Sequence, residues 1–216
     1  MSLKPYYDQD GITLYLGDCR LVLPQLDVKV DLVLTDPPYG IADKWVGGFS
    51  DKHGWGNALQ EQETRNGWDV APPDKETLDM LRAISDKQII WGGNYFLLPL
   101  SRCWLIWSKP ERGFTLAEAE LAWTNIDNVV RVYDGNRNDP NKQHPTQKPV
   151  GLMKWCLNQS WSKDCQTILD PFLGSGTTAL AAKILGRRCI GIEIEERYLE
   201  ISVKRLAQSV MKLEEV

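Results

Sequence analysis

The stretch Leu32 to Gly40, LVLTDPPYG, ends an apolar run with an acid, two prolines, a tyrosine and a glycine. A carboxylate at that point accepts hydrogen bonds, and the prolines after it fix the backbone while removing its own donors. The Pro37 carbonyl then has no local partner. Asp36 and this carbonyl together can accept both hydrogens of an amino group, while Tyr39 offers a flat face to a ring. The chemistry spelled by Asp36, Pro37, Pro38 and Tyr39 is a clamp for an aromatic amine. Taken alone, DPPY reads more readily as a tight turn with a capping Asp and a half-buried Tyr.

A second stretch carries chemistry at 167–202, TILDPFLGSGTTALAAKILGRRCIGIEIEERYLEIS. Its pattern is a strand ending at Asp170, a turn containing Gly174 and Gly176, a helix opening near Thr177, and a second strand ending at Glu193. Glycines in such a turn let the backbone approach a ligand, and an acid at the end of the next strand can bind a pair of ribose hydroxyls. The dinucleotide fingerprint GxGxxG is met only with Ala179 at its third position. A plain strand–helix turn explains the glycines as well as a nucleoside site does.

Both stretches need a scaffold that holds strand ends side by side. Runs that read as strands fall at 13–18, 31–36, 88–92, 103–109, 120–124, 129–133, 167–170 and 189–194. Helical spacing falls at about 74–84, 149–161, 176–186 and 195–212. Apolar strands alternating with helices predict an α/β fold with a mostly parallel sheet and helices on both faces. The run ELAWTNIDNVVRVY, with Asn125, Asp127 and Asn128 between two strand-like halves, predicts an antiparallel hairpin at one edge. Two polar segments break the pattern, a glycine-rich loop at about 41–73 and DGNRNDPNKQHPTQKP at 134–149. Loops this long in a compact domain are usually functional, which makes both of them candidate substrate surfaces.

With 216 residues, 43% hydrophobic and 25% charged, the chain has the composition of one globular domain spanning 1–216. Its net charge of −4 means that a polyanionic partner must be held by a local basic patch rather than by the overall field. The five cysteines are odd in number, widely spaced and mostly set in apolar stretches, which suits buried thiols in a reducing compartment. No CxxC pair or His/Cys cluster suggests a metal. The opening MSLKPYYDQDG has no apolar run and no 18 apolar residues occur together, so neither a signal peptide nor a membrane span is expected, and a cytoplasmic location is.

Together the two motifs are more specific than either. DPPY followed much later by FLGSGT resembles the amino-methylating DNA methyltransferases, in the beta arrangement where the catalytic motif precedes the cofactor motif. LGDC (16–19), HPTQKPVGLMKWCL (144–157) and IGIEIEERYLEIS (190–202) also stand where that family has them. The resemblance implies a Rossmann-like methyltransferase sheet, S-adenosyl-L-methionine as cofactor, no metal, and double-stranded DNA as substrate. By the same resemblance, Asp36 and the Pro37 carbonyl would bind the amine and Tyr39 would stack on the base. The cofactor would lie along Asp170, Pro171, Phe172, Gly174, Ser175, Gly176 and Thr177, with Glu193 on its ribose, Asp18 on its adenine and Lys148 near its carboxylate. The target base would be flipped out of the duplex. Lys44, Lys52, Arg65, Arg137 and Lys142 would supply phosphate contacts, although loop cations are usually just solvated.

One departure is that only about ten polar residues occupy the place where relatives commonly carry a target-recognition region. A homodimer, or relaxed sequence specificity, is the expectation. Asp rather than Ser before the prolines favours adenine N6 over cytosine N4. The alternatives are N4-cytosine methylation and a non-catalytic nucleic-acid-binding protein that keeps the cofactor fold. Trp91, Trp104, Trp107 and Trp123 read as core.

Overall fold

The structure, a computed structural model, describes residues 3–41, 71–110, 117–136 and 147–213, with side chains to 208. Its centre is built from short runs that are buried along their whole length. Strand β3, Leu32–Thr35, is buried at all four positions, as are β4, Gln88–Trp91, and β8, Thr167–Asp170. Such runs without polar alternation suit strands covered on both faces. They lie at the middle of a nine-stranded sheet ordered β1-β2-β9-β8-β3-β4-β6-β5-β7. The remaining strands are β1, Tyr7–Gln9, β2, Ile12–Leu16, β5, Trp104–Ser108, β6, Ala119–Thr124, β7, Arg131–Asp134, and β9, Arg188–Glu193.

Side chains alternate across this sheet, and each face has its own core. Leu32, Leu34, Ile168 and Cys189 pack on one face with Leu152 and Met153 of helix α3, Val150–Leu157, and with Ala179, Ala181 and Ala182 of α4, Thr177–Ile184. Leu199 and Leu206 of α5, Glu196–Leu213, join them. Val33, Leu169, Ile190 and Ile192 pack on the other face with Val22 of α1, Cys19–Val22, and Leu81 of α2, Lys75–Ala83. Period-two alternation sends neighbours to opposite faces. Each fully buried branched side chain contributes roughly 1.5–3 kcal/mol, so the two layers of helices are held by the same strands. Helix α2 starts where Asp74 accepts the Thr77 N–H at 2.8 Å, and its outer face carries the Lys75–Asp79 pair one turn apart.

Parallel pairing joins β2 to β9, β9 to β8, β8 to β3 and β3 to β4. From β8 the chain proceeds through α4 to β9 on one side, whereas from β3 it proceeds through α2 to β4 on the other. The two directions diverge between β8 and β3, and such a switch point is where open α/β sheets bind ligands, beyond the strands' carboxyl ends. Asp36 and Asp170 both stand there.

The expected mostly parallel sheet with helices on both faces is present, and one pairing differs from the sequence reading. β6 and β7 do not form a hairpin with each other. β6 runs antiparallel between β4 and β5, and β7 pairs parallel with β5 at the sheet edge. The five-residue register of β5 with β6, Trp104↔Trp123 to Ser108↔Ala119, takes the edge that the local turn residues assign to β7. The hairpin is therefore β5–β6. A further antiparallel strand, β1, and the short helix α1 were not anticipated. The tryptophans sit as expected: Trp91, Trp107 and Trp123 are buried and Trp104 is half-buried. All five cysteines are free and buried.

Candidate active site

The first element of the site is the turn after β3. Asp36 leaves the strand with its side chain 23% exposed, and the backbone then runs through the two prolines. Among the described residues no N–H or O–H is bonded to the Pro37 carbonyl. The Tyr39 hydroxyl donates to Asp36 Oδ1 at 2.6 Å. Its ring stacks on Tyr95 with centroids 5.0 Å apart and meets the edge of Phe96. Gly92 makes this packing feasible, since it holds φ +72° and a Cβ there would lie 2.1 Å from the Tyr39 ring. Gly40 (φ +69°) lies against Pro72, where a Cβ would be 2.5 Å from Cδ. The chain thus departs from and returns to one place beside Tyr39. The segment between, with Lys44, Lys52, Arg65, Trp45, Trp55, Trp68 and His53, lies outside the described residues, as do Arg137, Lys142 and His144.

Lys148, expected near the cofactor carboxylate, is placed by the structure beside the DPPY turn. Its ammonium donates to Asp36 Oδ2 at 2.6 Å and to the Tyr39 hydroxyl oxygen at 3.0 Å, and lies 2.9 Å from Glu120 Oε2. It thus groups with Asp36 and Tyr39 at the turn after β3. Glu120 in turn accepts from Lys109 through Oε1. Burial raises the Asp36 carboxyl above its usual range, and Lys148 opposes that rise. Burial works against the Lys148 charge, yet Asp36 and Glu120 together push it well above the ordinary lysine value. Burial would also raise Glu120, but Lys148 and Lys109 hold it at about 2. Glu120 and Lys109 were not singled out from sequence. The signal was there in principle, since a charge inside an apolar strand run is buried only when it has a partner.

The second element is the turn after β8. Asp170 is buried, and its Oδ1 accepts from Thr35 Oγ1 at 2.7 Å and from the Phe172 N–H at 3.2 Å, bracing the two turns against each other. Burial pushes its carboxyl up to about 6. Pro171 and Phe172 follow, Phe172 resting on the core under the sheet. Gly174 takes φ +54°, and a Cβ added there would point into open space. Gly176 takes φ +78° as the cap of α4, and a Cβ there would strike Ser202 at 2.7 Å. The first glycine keeps a cradle open; the second lets α4 and α5 close up.

Glu193 closes the far side of the cradle. Its Oε2 accepts the Gly174 N–H at 2.7 Å and its Oε1 the Glu195 N–H at 2.9 Å, which fixes the carboxylate at the end of β9 with further lone pairs on both oxygens. Pairing of Leu16 with Glu193, and the Gly17 N–H to Glu193 carbonyl bond at 2.9 Å, bring Asp18 to the same rim. Asp18 caps α1 through the Arg20 N–H and is bridged to the Arg20 side chain. Ser175 donates to Gln147 Oε1 at 3.1 Å, and Arg205 donates to the Ser175 carbonyl and to Thr177 Oγ1. An open glycine turn between a helix N-terminus and a strand-end acid suits a ligand with a carboxylate and a ribose diol. The rim is some distance along the sheet edge from the clamp but on the same side of it.

Against known proteins, residues 57–204 match the model of a family described as DNA methylase, the N6/N4 methyltransferases. The chain belongs to this family. It is 25% identical over 258 aligned positions to the type II methyltransferase M2.MboI of Moraxella bovis, covering 95% of this chain and 92% of that protein. Among solved structures, the fold is shared with the M1.HpyAVI–SAM complex at TM-score 0.59 and 23% identity, over 90% of this chain and 100% of that one. It is also shared with the PvuII DNA methyltransferase, described as cytosine-N4-specific, at TM-score 0.61 and 17% identity, over 94% of this chain and 88% of that one. The protein is an S-adenosylmethionine-dependent DNA methyltransferase.

Proposed function

We propose that the protein methylates the exocyclic N6 amine of an adenine turned out of double-stranded DNA. The observation that carries this reading is the clamp at the end of β3, where Asp36 Oδ2 is held by Lys148 and a Pro37 carbonyl without a partner among the described residues stands beside it. With Oδ2 occupied, Oδ1 is the oxygen that accepts from the amine, and the amine takes the place now filled by the Tyr39 hydroxyl. Two hydrogen bonds from the amine, to Oδ1 and to the Pro37 carbonyl, orient the nitrogen lone pair away from the acceptors and towards the cofactor side. When the nitrogen gains the methyl group it becomes positively charged and gives up a proton, for which Oδ1 is the adjacent acceptor before solvent.

S-adenosylmethionine, when bound, supplies a methyl group already activated by its sulfonium charge, so no metal is called for. Glu193 fits its ribose hydroxyls, Asp18 its adenine amine, and the 170–177 turn its amino-acid part, with Gly174 leaving room. Tyr39 and Tyr95 offer aromatic surface to the target ring once the Tyr39 hydroxyl has been displaced. Base release from the duplex costs roughly a few kcal/mol, offset by these contacts. Only about ten polar residues stand where relatives commonly carry a target-recognition region, so sequence reading falls to the 42–70 segment, to a second copy of the chain, or is relaxed. By likeness to the type II methyltransferases, its setting is cytoplasmic and its role is the modification half of a restriction–modification pair.

The test is to incubate a mixed-sequence duplex with methyl-labelled S-adenosylmethionine, digest it and separate the nucleosides. Label in N6-methyladenine is the expected result. Label in N4-methylcytosine would keep the clamp and overturn the choice of base, and cofactor binding without any transfer would favour a non-catalytic DNA-binding role.

A further inference from the structure

Behind the clamp lies a row of four side chains of alternating charge, Lys109, Glu120, Lys148 and Asp36, each bonded to the next. Three different strands and the approach to α3 contribute them: Asp36 follows β3, Lys109 follows β5, Glu120 lies on β6 and Lys148 precedes α3. The lysine side chains are 5% and 4% exposed. A buried ammonium is costly unless a carboxylate meets it, and with all four groups ionised the row carries no net charge. Lys148 also lies 5.7 Å from the Trp91 ring and Lys109 lies 4.7 Å from that of Trp107, so each ammonium has an aromatic face beside it.

We infer that Glu120, itself anchored by Lys109, is the positioning residue that holds the Lys148 ammonium on Asp36 Oδ2 and thereby leaves Oδ1 as the acceptor for the target amine. The geometry supports this because the Lys148 ammonium is shared between two carboxylates, at 2.6 Å from Asp36 and 2.9 Å from Glu120. Without Glu120 the ammonium has one anionic anchor, and the Asp36 carboxylate loses the fixed point about which it is oriented. A misplacement of about 1 Å can cost on the order of 100-fold in rate, which is the leverage available to a residue that never touches the substrate. The inference rests on reading Asp36 as the acceptor of the amine.

The groups facing Asp36 are the charged Lys148 and Glu120 and the neutral Tyr39 hydroxyl, with Asp170 also within electrostatic reach across the two turns. Of these Lys148 lowers the Asp36 pKa and Glu120 raises it, so removing them must move the acid limb of the rate in opposite directions. The experiment measures single-turnover transfer against pH for the parent, Glu120→Gln, Lys148→Met and the charge-balanced double variant Lys109→Met with Glu120→Gln, alongside NMR of the lysine Nζ groups without DNA. Expected are a rate loss of about 10- to 100-fold for Glu120→Gln with KM for DNA and cofactor nearly unchanged. Its acid limb shifts to lower pH, that of Lys148→Met shifts to higher pH, and the slowly exchanging Lys148 Nζ signal weakens in Glu120→Gln. The double variant removes one charge of each sign, so it retains the fold while keeping the rate loss.

A parental rate and unshifted acid limb in both Glu120→Gln and the double variant would overturn the positioning role. Asp36→Asn, run in parallel, separates the two levels. If it keeps parental transfer, the amine-clamp reading itself fails. If it is inactive while the Glu120 variants behave as the parent, only this inference fails.

Discussion

Asp36 carries the account at the scale of single residues, because its two oxygens are differently employed. Oδ2 is bound to a buried ammonium and Oδ1 to the neutral Tyr39 phenol. Tyr39→Phe should therefore free Oδ1 in the resting protein while preserving the aromatic face. Its expected effect on kcat is small, within about threefold, in contrast to a loss of roughly 100-fold or more for Tyr39→Ala. Steady-state kinetics on a duplex substrate checks both. Asp170 makes a prediction of a different kind. Its folded value, about 6, lies above the ordinary 3.8, so the folded protein binds this proton more tightly than the unfolded chain. The stabilisation is whole below pH 4 and is lost as pH rises through about 6. Asp170→Asn, which cannot ionise, should gain thermal stability relative to the parent as pH is raised across that window. The relative gain is at most about 3 kcal/mol, read as a widening difference in Tm.

Elements position these residues through two turns that glycine permits. Gly176→Ala would push a methyl into Ser202 of α5 from a left-handed backbone, and should lower Tm markedly, by the equivalent of roughly 2–4 kcal/mol. Gly174→Ala meets no atom and carries only the conformational cost of its positive φ, about 1 kcal/mol. If the open space beside Gly174 is the cofactor cradle, Gly174→Ala should weaken S-adenosylmethionine binding at least about tenfold for that small loss of Tm. Calorimetric titration alongside thermal unfolding distinguishes the two glycines. Strand order matters in the same way. Insertion of β6 between β4 and β5 brings Glu120 to face Lys109 on the neighbouring strand's end and Lys148 from across the sheet edge.

Across the whole molecule, a net charge of −4 leaves phosphate binding to local cations. Replacing Lys44, Lys52 and Arg65 together by alanine should flatten the log–log salt dependence of DNA affinity by about 2–3. Cofactor affinity should be unchanged, as binding titrations at several salt concentrations would show. At this scale the sequence was most legible. Short runs without polar alternation, such as LVLT and TILD, announced central parallel strands, and their ends named Asp36 and Asp170 because ligand chemistry gathers where such strands stop. Legibility failed where long-range pairing decides. Asn125 to Asn128 look like a hairpin turn, but β5 outcompeted β7 for β6, a choice made by residues twenty positions away. Glu120 and Lys109 went unread for the same reason: an acid in ELAWT suits a solvated edge strand, and only the order of the sheet buries it. The TQKP segment draws attention to Lys148, but not to its partner Asp36, since nothing local says which of two neighbouring turns its ammonium will reach.

The central claim is that Asp36 binds the amine undergoing methylation and takes no part in holding the cofactor. Single-turnover transfer by Asp36→Asn, measured with its S-adenosylmethionine affinity by calorimetry, tests this most directly. The expected result is a transfer rate lower by roughly 100-fold or more with cofactor affinity unchanged within about twofold. Transfer near the parental rate, or a loss fully explained by weakened cofactor binding, would contradict it.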